Sequence, residues 1–235
     1  MWTADTRFGD IYNLQEFITP NNMSVRNLSF QLTQNKHTEE DKVLACWNWV
    51  VRNVDYPFNS EGQPSDAHIL LANYTGKNQN NITSLSNSIK KTGISDFRVR
   101  LGQDDFWAFP AETLGWRNDA NRRFGDCENT SFLLVSLLRN FTNAYTHLGV
   151  LGPGYGHAWV TWQGHILETT LDKLPSGKSI MEIIGNQNDS GYQSHGYFND
   201  EVCQGDFSEF GGLKVEALNE VERVWGISSK LRRVS

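Results

Sequence analysis

Residues 125–141 read GDCENTSFLLVSLLRNF, the most apolar run of the chain. Gly125 interrupts the preceding segment and Asp126 is a favoured N-cap residue, so the run predicts a buried helix with Cys127 in its first turn. The backbone N–H groups and partial positive charge at a helix start stabilise a thiolate or an oxyanion, whereas the adjacent Glu128 opposes ionisation of the thiol. Cys127 is therefore a candidate nucleophile, and a small buried structural residue is the alternative.

Two strands are predicted after this helix. Residues 144–151 form the first, and residues 157–162 (HAWVTW) alternate between apolar and polar as the second, with His157 at its start. Gln163-Gly164 predicts a two-residue hairpin turn that leads into HILETTLD at residues 165–172. A histidine in this position is a candidate general base for the cysteine.

The predicted hairpin also supplies an acid. Its register places His157 and Glu168 on one face as diagonal neighbours, and it places Asp172 on that face too. A carboxylate there fixes the tautomer of the histidine and stabilises the imidazolium, and the register alone leaves Glu168 and Asp172 open for this role. The pairs that the turn predicts are Trp162 with His165, Trp159 with Glu168, and His157 with Thr170.

Four segments, in order, resemble the transglutaminase-like superfamily of papain-like cysteine enzymes, in its bacterial or viral form. They span residues 38–172, and both ends of the chain lie outside the resemblance. The segments are EEDKVLACWNWVVRNVDYPF (39–58), DFWAFPAETL (105–114), GDCENTSFLLVSLLRN (125–140), and the pair GHAWVTW (156–162) with ILETT (166–170).

The resemblance implies Cys127 as nucleophile, His157 as general base and then acid, and Glu168 as the residue that orients the histidine. It also implies Trp107 as an aromatic residue lining the cysteine, with its indole N–H near the oxyanion. The family usually has aspartate where Glu168 stands and often an acid where Asn129 stands. The implied fold is α+β, a papain-like core in which the cysteine-bearing helix packs on an antiparallel β-sheet.

The rest of the chain predicts three regions. Residues 1–37 form an N-terminal extension packed on the core, residues 38–175 form the catalytic core, and residues 176–235 form a loop-rich region with a closing helix. Within the core, Thr38 caps a predicted amphipathic helix over residues 38–53, and a further helix is predicted near residues 84–91. The closing helix is predicted from KVEALNEVERVW at residues 214–225.

Composition restricts the class of protein. A chain of 235 residues with a net charge of −6 lacks the basic surface that nucleic acid binding requires, and an anionic membrane surface is equally unfavourable. Three cysteines cannot all pair within one chain, which favours a reducing compartment. With no signal peptide and no membrane-spanning stretch in the sequence, a soluble protein is expected, cytoplasmic or virion-associated.

No metal or cofactor is expected, because the spacing of His195 and Cys203 is unlike that of a zinc site. The expected activity is cysteine-dependent acyl transfer from amide bonds of a protein or peptide substrate through a thioester. Hydrolysis, as in a protease or amidase, is slightly favoured over transamidation. The alternative is a non-catalytic structural or assembly module, for instance of a viral particle, that keeps the same fold. The sequence leaves the oligomeric state open.

Overall fold

The computed structural model describes residues 2–7, 10–56, 107–115, 117, 121–152, 155–187, 189–208 and 215–217. These residues form an α+β fold in which helices pack against an antiparallel β-sheet, as the sequence predicts. The helix predicted near residues 84–91 lies outside the described residues. No helix in the described ranges is both long enough and apolar enough to cross a membrane.

The main sheet has five strands, and every neighbouring pair is antiparallel. The two strands predicted after the cysteine helix are confirmed and lie in the middle of the sheet. In spatial order the strands are β7 (His165–Leu167), β6 (Tyr155–Trp162), β5 (Ala144–Leu151), β8 (Tyr192–Phe198) and β9 (Cys203–Gly205).

The predicted hairpin between β6 and β7 is confirmed at its turn. Gln163 and Gly164 have φ of 49° and 81°, the pair of left-handed conformations that a two-residue type I′ turn requires. Trp162 pairs with His165 as predicted. The ladder ends at the pair of Val160 and Leu167. The two further pairs predicted from the turn, Trp159 with Glu168 and His157 with Thr170, therefore do not form.

Two helices were predicted with their caps, and both are confirmed. Helix α2 (Glu39–Asn53) begins where the Thr38 hydroxyl accepts a hydrogen bond from the Asp41 N–H at 3.1 Å. Helix α4 (Cys127–Leu138) is buried along its whole length. It packs on β5 and β6 on one side and on α1 (Met23–Thr33), α2 and α3 (Pro110–Gly115) on others, so it is the central helix of the fold.

The N-terminal region packs on this central helix. It contains β1 (Trp2–Arg7), β2 (Asp10–Asn13), a 3₁₀ turn at Leu14–Phe17, and α1. The Ser29 hydroxyl donates to the Leu137 carbonyl at 2.9 Å, and the Thr19 N–H donates to the Ser136 hydroxyl at 2.9 Å. These bonds satisfy polar groups in the apolar half of the helix.

The prediction of mostly loop after residue 175 is wrong for a large part of that region. Helix α5 (Ile180–Ile184) forms there, and β8 and β9 supply two of the five strands of the main sheet. The predicted core boundary at residue 175 therefore falls inside the sheet. Strand β8 reads YQSHGYF and has few apolar residues, since only two of its seven positions are buried and its stability comes from pairing with β5.

The predicted closing helix is wrong at its start. Val215–Ala217 form β10, which pairs antiparallel with β1 and completes a small sheet of order β10-β1-β2. Pairing with the edge of β1 overrides the helical spacing of the apolar residues in this stretch. Residues 218–225 of the predicted helix lie outside the described residues.

Candidate active site

The start of α4 is placed by a short parallel strand pair. Strand β3 (Val54–Asp55) follows α2 directly and pairs with β4 (Arg123–Phe124). The Gly125 N–H then donates to the Asp55 carbonyl at 3.1 Å. A Cβ atom on Gly125 would lie 2.9 Å from the Cβ of Asn129, so glycine permits the close turn into the helix.

The predicted N-cap is confirmed and holds the first turn. The Asp126 carboxylate accepts a hydrogen bond from the Asn129 N–H at 3.2 Å, and the Thr130 hydroxyl donates to the Asp126 carbonyl at 2.7 Å. The Asn129 side-chain oxygen accepts from the Ala108 N–H at 2.6 Å. Cys127 therefore lies in a first turn that three hydrogen bonds hold in place.

The Cys127 thiol is buried, with 6% of its surface exposed, and it donates a hydrogen bond to Oε2 of Glu128 at 2.9 Å. Burial raises the pKa of the thiol well above its usual range, and the negative charges of Glu128 and Asp126 raise it further. A hydrogen bond from the Ala158 backbone N–H acts in the opposite direction. The sequence predicts that Glu128 opposes ionisation of the thiol, and the structure adds burial and Asp126 to this effect, so the sulfur is a neutral thiol at neutral pH.

Glu128 is itself buried, with 6% of its surface exposed. Burial and then the charge of Asp126 raise its pKa to about 7, whereas the hydrogen bond from Cys127 and the proximity of His157 lower it. The carboxyl group therefore keeps its proton more readily than an exposed glutamate does. Since the Ala158 N–H also reaches the sulfur, Cys127 lies against the strand position that follows His157.

His157 and Glu168 form the central contact of the site. The Nε2 atom of His157 lies 2.8 Å from Oε2 of Glu168, and the two residues are 8% and 5% exposed. A carboxylate can only accept, so the imidazole N–H at Nε2 is the donor. The ring of His157 also stacks loosely on Trp159, with centroids 6.1 Å apart and planes at 24°.

Three further donors hold the Glu168 carboxylate. Its Oε1 accepts from the backbone N–H and the hydroxyl of Thr170 at 2.8 and 2.7 Å, and its Oε2 accepts from the Tyr192 hydroxyl at 2.8 Å. Burial alone would raise the pKa of Glu168, but the hydrogen bonds and charge of His157, with the bonds from Thr170, outweigh it and lower the pKa to about 2. Glu168 is therefore ionised throughout the neutral range.

The backbone around Glu168 is tied to the helices. The indole N–H of Trp47 in α2 donates to the Glu168 carbonyl at 2.7 Å. The hydroxyls of Thr169 and Thr130 share a hydrogen bond of 2.8 Å, which joins the end of β7 to the cysteine helix. The carboxylate, the histidine strand and the cysteine helix are thus held in one fixed arrangement.

Cys127, His157 and Glu168 lie in one buried region, because the Ala158 N–H reaches the Cys127 sulfur and His157 contacts Glu168. Asp172 lies outside this region. Asp172 is exposed beyond the end of β7 and lines a cavity of about 260 Å³ with Tyr56 and Thr170. It therefore does not occupy the predicted diagonal position on the His157 face.

Trp107 is fully buried in an aromatic cluster. Its ring packs edge-on against Phe17 and against Phe132 of α4, with centroids 5.3 and 5.2 Å apart. Its segment reaches the first turn of α4 through the bond between Ala108 and Asn129. The predicted role of its indole N–H near an oxyanion stays a prediction.

Sequence reasoning missed Tyr192 and Trp47 as parts of this site. Tyr192 opens β8, in a stretch that carries no strand pattern, and no local signal pairs it with an acid on a distant hairpin. Trp47 is recognisable as a buried residue of α2, but its indole donor finds its acceptor only in the folded chain. Thr170 belongs to the ILETT motif, but the sequence does not predict its contact with the Glu168 carboxylate.

Within the described ranges, no group of three or more histidine, cysteine, aspartate or glutamate side chains is arranged to hold a metal ion. No family model matches this sequence, and searches of curated proteins and of solved structures found no significant match.

Proposed function

We propose that this chain is a cysteine-dependent acyl-transfer enzyme that acts on amide bonds of protein or peptide substrates through a thioester. The observation that carries the proposal is the buried hydrogen bond of 2.8 Å between His157 and the ionised Glu168, beside the start of the Cys127 helix. A nucleophile, a base and a residue that orients the base are the components that covalent acyl transfer requires.

His157 is the proton carrier in this mechanism. Because Nε2 donates its proton to Glu168, Nδ1 is the basic nitrogen of the neutral ring. As the sulfur attacks the carbonyl carbon, the S–H proton passes to the imidazole and a C–S bond forms. The imidazolium then gives this proton to the departing amine as the C–N bond breaks, which leaves a thioester on Cys127.

Glu168 stabilises the imidazolium that forms in this step. Four donors surround its carboxylate, so its charge is available at Oε2 without movement of the side chain. The negative charge that develops on the carbonyl oxygen is stabilised by the partial positive charge at the start of α4. This preorganisation is what a catalytic site requires and a packing cluster does not.

Resemblance to the transglutaminase-like superfamily supports the same assignment. The motifs around Cys127, His157 and Glu168 stand in the order of that family, and a papain-like arrangement of cysteine helix and antiparallel sheet is the finer fold that we propose. The thioester is then resolved by water, as in a protease or amidase, or by an amine. Hydrolysis needs no second substrate site, so we favour it, in a cytoplasmic or virion-associated setting.

A non-catalytic role is the second candidate, and the burial of the thiol is the observation that favours it. Cys127 is 6% exposed and its pKa is raised, as is typical of a structural cysteine. A module of this kind, for instance in a viral particle, would keep the cluster for its hydrogen bonds alone. Four donors around one carboxylate would be an unusually demanding way to hold a core together.

The deciding experiment is an activity assay with a library of labelled peptides, with and without a panel of primary amines. It compares the unaltered chain with its Cys127→Ala and His157→Ala variants. We expect release of the leaving group by the unaltered chain and none by either variant, with a mass-detected acyl adduct on Cys127. Product analysis identifies water or amine as the acceptor. Turnover that persists in Cys127→Ala, or adduct formation that is absent throughout, contradicts the proposal.

A further inference from the structure

Glu128 is a buried acid in direct contact with the sulfur. Its Oε2 lies 2.9 Å from the Cys127 sulfur and accepts the thiol hydrogen bond, and both side chains are only 6% exposed. The proton transfer between Cys127 and His157 does not by itself require this acid. An apolar residue would fill this position at the start of a buried helix at lower cost, because burying a carboxyl group requires a compensating partner.

Two negative charges cannot form together at this distance in a buried site. A thiolate on Cys127 beside a carboxylate on Glu128 would leave like charges about 3 Å apart, as in paired carboxylates that share one proton. Asp126, at the N-cap, adds a third acid nearby and strengthens this repulsion. The thiol and the carboxyl group therefore behave as one unit with a single negative charge.

We propose that Glu128 is a further catalytic residue, which shares one proton with Cys127 and controls when the sulfur becomes a nucleophile. This inference rests on the proposed function, in which Cys127 is the attacking group. The exchange converts thiol and carboxylate into thiolate and carboxylic acid, and the proton then passes from Glu128 to the imidazole of His157, which acts on Glu128 and carries the proton to the departing amine. One S–H bond breaks, one O–H bond forms, and the net charge stays at minus one, so no other reactant is required.

The groups around the pair decide which form prevails. Cys127, Asp126 and His157 are the titratable groups that act on Glu128 among the described residues. Asp126 and the carboxylate itself favour the thiol, whereas the Ala158 N–H favours the thiolate. Burial and Asp126 raise the pKa of Glu128, and its protonation removes the nearest negative charge and supplies a donor to the sulfur. While Glu128 is ionised, the sulfur therefore stays a thiol and is a weak nucleophile.

The test measures the rate of iodoacetamide alkylation at Cys127 against pH, with peptide mapping to separate it from Cys46 and Cys203. In Glu128→Gln the repelling charge is gone and an amide N–H can donate to the sulfur. We expect its alkylation midpoint to fall below that of the unaltered chain, with a rate gain near neutral pH of roughly tenfold for each pH unit of the fall. Glu40→Gln, on an exposed position of α2, controls for the loss of one charge.

Glu128→Asp provides a second variant, because it keeps the charge but withdraws it from the sulfur. We expect a midpoint between those of the unaltered chain and Glu128→Gln. A midpoint that stays unchanged or rises in Glu128→Gln, with circular dichroism showing the native fold, overturns the inference. Alkylation requires no turnover, so this result is separate from the peptide assay, and failure of this inference is distinguishable from failure of the proposed function.

Discussion

The Oε2 atom of Glu168 accepts two hydrogen bonds of equal length, 2.8 Å from Nε2 of His157 and 2.8 Å from the hydroxyl of Tyr192. One donor comes from β6 and the other from β8, two strands that β5 separates in the sheet. The Glu168 carboxylate, which follows β7, therefore links β6 and β8 through side-chain hydrogen bonds. The geometry of this oxygen determines how firmly the histidine is held.

Glu168→Gln should lower turnover far more than Asp172→Asn. A glutamine amide can present its N–H₂ group to Nε2 and so stabilise the wrong tautomer, and it cannot stabilise the imidazolium. We expect a loss in kcat on the order of 10³-fold for Glu168→Gln and less than about twofold for Asp172→Asn. Steady-state kinetics on one peptide substrate compares the two variants. The reverse ranking would assign the orienting role to Asp172.

Acid should destabilise the chain through Glu168. Its pKa falls from an ordinary 4.5 to about 2 on folding, so its contribution to stability is present above pH 4.5 and is lost as the pH falls toward 2. We expect the free energy of unfolding to drop by about 2 kcal/mol more in the unaltered chain than in Glu168→Gln between about pH 6 and pH 3. Urea titrations at the two pH values measure this difference. Equal drops would show that the partners of Glu168 do not lower its pKa on folding.

Tyr192→Phe should weaken the site without unfolding it. Without this hydroxyl the Glu168 side chain is held less firmly, and this loss of positioning, about 1 kcal/mol, should outweigh the gain in imidazolium stability and lower kcat by roughly fivefold. With one donor fewer, the carboxylate holds the imidazolium more strongly, so the acidic limb of the kcat/KM profile should move to higher pH. Tyr197→Phe is the matched control, because its hydroxyl bonds Gln204 on the neighbouring strand. A lower kcat with an unshifted acidic limb would indicate a purely structural role.

The sequence predicted the elements around Cys127 and His157 because their signals are local. The cap at Asp126, the alternation of HAWVTW and the Gln163-Gly164 turn each require only neighbouring residues, and the structure contains all three. Strand β8 and its Tyr192 could not be predicted in this way. Their stability depends on pairing with β5, more than 40 residues earlier, and long-range pairing leaves no pattern in one segment of sequence.

Gly149 lies opposite His157 in the β5–β6 ladder, and its missing side chain is required there. A Cβ atom would lie 2.1 Å from the Gln193 carbonyl oxygen and 2.8 Å from the Trp159 ring. Because one of these atoms belongs to the backbone of β8, β5 and β8 must separate to admit it. We expect Gly149→Ala to cost about 2 to 3 kcal/mol and to lower Tm by roughly 5 to 10 °C.

Gly115→Ala is the control for this prediction, since a Cβ atom there has no described neighbour within 4 Å. Thermal unfolding followed by circular dichroism should show little change in Tm for that variant. Separation of β5 from β8 would also move Tyr192 away from Glu168, so the Gly149→Ala variant should lose activity below its unfolding temperature. A stable and fully active Gly149→Ala variant would mean that the two strands are less closely paired than their register implies.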